Sequence, residues 1–166
     1  MRRFVHVIDT INEWVGRVVS VWIVFLIVVV MYEVVMRYFF NRPTIWADEL
    51  SVYIFGVMWI LVGGFAMLRG RMVTVDVFYG RLSPRGKAIA DVCTFIFALV
   101  YTVALLYASW RLAWDSVMWN EHSETVWRVP YYPFRMSLPI AAFLLLIQLI
   151  SKFIKDLYLV RGRQLS

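Results

Sequence analysis

Glu33 and Arg37 stand four residues apart at the end of a long hydrophobic run, so on a helix they share a face and can form an ion pair. Such a pair either shields two charges at the edge of a bilayer or points into a protein interface. Arg42, Pro43, Thr44, Trp46, Asp48 and Glu49 follow closely. Asn41 and Pro43 end the first helix, because proline lacks a backbone donor and disfavours the α region for the residue before it. Thr44 is then placed to cap a second helix, with Asp48 and Glu49 in its early turns, where the helix dipole favours anions. A wet connector with capping charges is the bland reading of this segment.

A second polar group, Glu121, His122 and Glu124, suggests a metal site at first sight. One histidine with two carboxylates is a poor set for zinc, and a solvated or partner-facing loop fits it better. No nucleotide-binding glycine loop, nucleophile elbow or histidine-pair motif occurs. His6 and His122 both lie outside the apolar runs, so a haem held between membrane helices would lack axial ligands. Cys93 is the single cysteine, which leaves no disulfide framework. The chain is therefore expected to be no enzyme, with no catalytic, cofactor or metal residues.

These groups must be positioned by elements of an unusually apolar chain. Of its 166 residues 62% are hydrophobic, and the mean hydropathy is +0.72, beyond the apolar share of soluble domains. The reading is a single domain, residues 1–166, of an all-α integral membrane protein with four transmembrane helices. The spans are expected at about 15–39, 46–68, 84–120 and 133–157. Before the first, Val5, Ile8, Ile11 (or Asn12) and Val15 recur at helical spacing as an amphipathic lead-in, read as retained rather than as a cleaved signal.

In the second span, Gly56 and Gly63 fall on one face, where small residues admit a neighbouring helix. Between spans two and three, Val75, Phe78, Tyr79 and Leu82 form a stripe with Thr74 and Asp76 near its start. That pattern predicts a short helix lying in the membrane interface. Ser83-Pro84 opens the third span, and from Lys87 its helical pattern continues without glycine or proline to Glu121. That helix is too long for a bilayer and must tilt or protrude. Trp110, Trp114, Trp119 and Trp127 belong to an aromatic belt at that end. Pro130 and Pro133 start the last helix, Pro139 is expected to kink it, and Gln148 is its deepest polar group.

Charge fixes an expected sidedness. Twelve of the seventeen Lys and Arg lie at the two termini and in the loop between spans two and three. Both termini are thus expected in the cytoplasm. The formal net charge of +6 reflects this bias and gives no reason to invoke nucleic acid. Charges are nearly absent from the span centres, although a transporter acting alone needs polar groups or broken helices there. The profile is that of a scaffold in the lipid bilayer. A small four-helix multidrug-type exporter is the alternative, with Glu33 as its one candidate membrane carboxylate.

The string R-Y-F-F-N-R-P-T-I-W-A-D-E-L-S, Arg37 to Ser51, resembles the signature of the small membrane subunit of tripartite ATP-independent periplasmic (TRAP) transporters, the DctQ-type family. The segment M-V-T-V-D-V-F-Y is similar to that family's H-V-x-V-D segment. Asp76 matches, and Met72 or Arg71 stands where the family has histidine. E-H-S-E-T-V-W-R-V-P-Y-Y-P and the helix after it resemble the family's last segment. The resemblance implies a bacterial inner-membrane subunit that anchors a larger, sodium-coupled transport subunit. It also implies a soluble periplasmic binding protein that delivers an organic acid. On that reading Arg37, Arg42, Trp46, Asp48, Glu49, Gly56, Gly63, Asp76, Glu121 and Ser123 are candidates for contacts within the complex.

Overall fold

A computed structural model of the chain describes residues 2–71 and 82–160. Four helices account for most of them: α1 (Arg2–Tyr38), α2 (Ile45–Leu68), α3 (Pro84–Met118) and α4 (Tyr132–Val160). Each is long and apolar enough to cross a membrane. The expected lead-in and first span are one unbroken helix of 37 residues, whose buried stripe runs Val5, Ile8, Asn12, Gly16 and Val19. Ile11 faces outward, so the stripe passes through Asn12. The expected interfacial helix, with Asp76, lies outside the described residues.

Helix ends follow from local chemistry. Gly70, in the left-handed region at φ 63°, closes α2. Its amide bonds the Met67 carbonyl at 3.1 Å while the Arg71 amide bonds Ala66 at 2.8 Å, the paired bonds of a Schellman stop. Asn120 does the same for α3 at φ 46°. The Asn120 amide reaches Val117 at 3.2 Å and the Glu121 amide reaches Ser116 at 3.1 Å. Asparagine tolerates this conformation better than most residues, so α3 stops without glycine. Ser83 caps α3 as expected, its hydroxyl accepting from the Gly86 amide at 3.2 Å.

Packing is centred on α4. It contacts α1, α2 and α3, while α1 and α2 form a hairpin of their own. Its buried residues are mostly small or polar: Ser137, Pro139, Ala141, Ala142, Gln148 and Ser151, with Leu144 and Leu149. Across from it α3 presents Thr102, Ser109, Ala113 and Ser116, also buried. Small residues on both sides let two backbones approach closely, which is the main packing device in lipid. Nearer the chain termini the contact is made by Phe95 stacked on Phe153, centroids 3.8 Å apart, and by a Lys152–Asp91 ion pair at 2.7 Å. Much of α1 and α3 faces outward with large apolar side chains, as lipid or a membrane partner requires.

Candidate functional site

Two loops lie at the end of the bundle opposite the chain termini. The first joins α1 to α2 and is organised by Glu33, which is only 6% exposed. Its Oε1 accepts from Arg37 Nε at 2.9 Å and Nη2 at 2.7 Å. Its Oε2 accepts from the Thr44 backbone amide at 2.9 Å and from the Thr44 hydroxyl. Thr44 is the N-cap of α2, but its side chain makes no bond to its own helix. The hydroxyl is turned back to α1, so the cap residue ties two helices together. Trp46 extends the tie by packing on Tyr32 at a centroid distance of 5.6 Å.

The second loop, between α3 and α4, closes on itself. The Ser123 amide bonds the Val129 carbonyl at 2.8 Å, and the Tyr131 amide bonds Glu121 at 2.8 Å. Arg135 pairs with the Glu121 carboxylate and lies over the Tyr131 ring. Ser123 is buried and its hydroxyl meets that of Thr125 at 2.5 Å. The turn at the tip, with Arg128 at φ 48°, leaves Val126 85% exposed.

The second loop is seated on α2 through Tyr53, whose ring meets those of Tyr131 and Phe134 edge-on at centroid distances of 5.8 and 5.6 Å. Both Glu49 oxygens are enclosed and have no hydrogen-bond partner among the described residues. Asp48 and Arg42 are exposed. Of the sequence candidates, Glu121 and Ser123 are thus held within the second loop, Glu49 lies one turn before Tyr53 on α2, and Arg37 is held by Glu33 at the first loop. Gly56 faces inward, where a Cβ would lie 2.7 Å from the Phe134 ring. Gly63 has nothing within 4 Å of that position, so its face of α2 is open. Among the described residues no cluster of metal-ligating side chains forms.

A polar network near the chain termini was not singled out from sequence. Asp9 accepts from Gln148 at 3.1 Å, Ser151 at 3.2 Å and Lys155 at 2.6 Å. Asn12 donates to Gln148 at 2.8 Å, and its amide oxygen abuts Gly64. The available signal was Asn12 on the apolar stripe of α1 opposite Gln148, the one amide inside the last span.

The match to known proteins is decided over the part of the chain that carries these loops. Residues 26–158 fit the family model of tripartite ATP-independent periplasmic transporters, DctQ component. The chain belongs to the DctQ family. A curated relative, the C4-dicarboxylate TRAP transporter small permease protein DctQ of Vibrio cholerae, is 29% identical over 79 residues. That match covers 48% of this chain and 34% of the relative. The DctQ match includes both loops and Glu33, Arg37, Thr44, Glu49 and Glu121, so the site described here lies within the family's shared region. The independent-exporter alternative is not favoured. Glu33, the carboxylate it needs, has both oxygens engaged by Arg37 and Thr44.

Proposed function

We infer that this chain is the scaffolding membrane subunit of a sodium-coupled TRAP transporter that takes up an organic acid. A larger membrane subunit carries the substrate, and a soluble periplasmic protein delivers it. The reading places the chain in a bacterial inner membrane with both termini in the cytoplasm and the two organised loops in the periplasm. The observation that carries it is four unbroken helices whose spans hold no polar path. The buried Asn12, Glu33 and Gln148 lie toward one end or the other, and the hydroxyl of mid-span Thr102 is spent on the Ala98 carbonyl of its own helix at 2.7 Å. Helices α2 and α3 have no charge between Leu50 and Leu68 or between Val92 and Trp110. A membrane transporter with its own substrate site needs such groups or broken helices near the midplane.

Support for a partner-holding role comes from the open face at Gly63 and the large apolar side chains around α3. The name of the Vibrio relative makes C4-dicarboxylates the first class to test. The test is uptake into proteoliposomes with a sodium gradient, the binding protein, and either or both membrane subunits. Uptake is expected only with both subunits. Transport by this chain reconstituted alone would overturn the scaffold reading.

A further inference from the structure

We propose that Arg17 and Arg69, converging on Glu13, form a binding site for the phosphate headgroup of an anionic phospholipid, whose acyl chain runs along the exposed face of α1. Arg17 Nη2 and Arg69 Nη2 both donate to Glu13 Oε1, at 3.1 and 2.7 Å. One carboxylate thus holds two guanidiniums from different helices side by side and leaves the trio one positive charge in excess. The side chains stay 75% and 53% exposed, and each uses one of its several N–H donors on Glu13. Planar guanidinium forks match phosphate oxygens. Arg69 is further fixed over the Phe65 ring, 5.4 Å from its centroid, and that ring packs on Gly16 of α1.

The trio sits at headgroup depth. Arg17 and Arg37 bracket the apolar part of α1 and are separated by about 30 Å of helix, the thickness of a bilayer core. Exposed Trp14 lies one turn outward of Arg17, at the level where indoles favour the interface. Inward of Arg17, Val21, Val24 and Val28 share its helical face and are all more than half exposed. From Arg17 to Val28 this track is about 16 Å long, roughly one leaflet's depth. A paired cation above a leaflet-deep apolar track has the two chemistries of a phospholipid. Basic pockets between helices at a membrane surface are known to take such headgroups.

The site requires insertion in a bilayer but not the transport reading, so the two fail separately. The test is native mass spectrometry of the full chain released from detergent, titrated with phosphatidylglycerol, phosphatidylcholine or inorganic phosphate. Wild type is expected to retain one phosphatidylglycerol with preference over phosphatidylcholine, and inorganic phosphate is expected not to displace it. The pair Arg17→Gln with Arg69→Gln should weaken retention by roughly 30-fold, the combined effect of two basic side chains at a charged surface. Arg111→Gln, at the opposite end of the bundle, should leave it unchanged. Glu13→Gln removes the competing carboxylate and should tighten retention, which keeps the test sharp even if the double variant does not fold. Unchanged retention in either Arg17/Arg69 or Glu13 variants, or displacement by inorganic phosphate alone, would overturn the proposal. Loss of the lipid when a membrane protein partner binds that face would assign the face to the partner instead.

Discussion

At Gly64 an added methyl group would strike the amide oxygen of Asn12, whereas at neighbouring Gly63 it would meet nothing. Gly64→Ala is therefore expected to destabilise the chain by about 1–3 kcal/mol, the usual cost of overpacking a fitted site. Gly63→Ala should leave the thermal midpoint of the isolated chain almost unmoved. Comparing the two midpoints in detergent checks this, and equal losses would show that Gly63 is packed inside the chain. Glu33 gives a second contrast. Glu33→Ala removes the acceptor for Arg37 and for both donors of Thr44, while Thr44→Val removes the hydroxyl alone. The alanine variant should lower the midpoint more than the valine variant. The reverse order would mean that the hinge is held by the cap residue and not by the carboxylate. Gln148 is almost wholly buried and joins Asn12 to Asp9. Gln148→Ala leaves both without that partner, at an expected cost of about 1–3 kcal/mol.

Among the helices, α3 depends most on a single neighbour, since its packing is concentrated on α4. Ala113 is 1% exposed at that contact, and leucine there would force the two backbones apart. Ala113→Leu is expected to cost about 1–3 kcal/mol and to make α3 the first helix lost on heating. Hydrogen exchange resolved by helix would check it, and uniform loss across the four helices would refute the order. The existence of four membrane-length helices was legible in sequence because nineteen-residue uncharged runs and the Ser83-Pro84 start admit few alternatives. The Glu33–Arg37 pair was legible for a similar reason, as four-residue spacing fixes two side chains on one face. Spatial neighbours were not legible. Nothing in the spacing of Asp9 and Lys155, or of Glu121 and Arg135, says that they meet, because those contacts depend on which helices pack together. Glycine roles were hidden likewise: Gly56 and Gly63 read as equivalents, yet one is filled by Phe134 and the other is open.

The whole molecule carries its two loops at one end and its two termini at the other, since Lys155 near the C-terminus bonds Asp9 near the N-terminus. Four spans require that arrangement, and its proposed direction follows from the charge distribution. Lys and Arg gather in the terminal segments and the loop between α2 and α3, and the side richer in them faces the cytoplasm. The loop tip at Val126 is then expected outside. In a background with Cys93 replaced by alanine, a cysteine at Val126 should react with an impermeant thiol reagent in intact cells. A cysteine at Ser166 should react only after the membrane is opened. Val126 is suited to this because its side chain is almost free of contacts, so the substitution leaves the loop's hydrogen bonds in place. Labelling of Ser166 but not Val126 from outside would invert the molecule. It would also move the Glu33 hinge and the enclosed Glu49 away from any periplasmic partner.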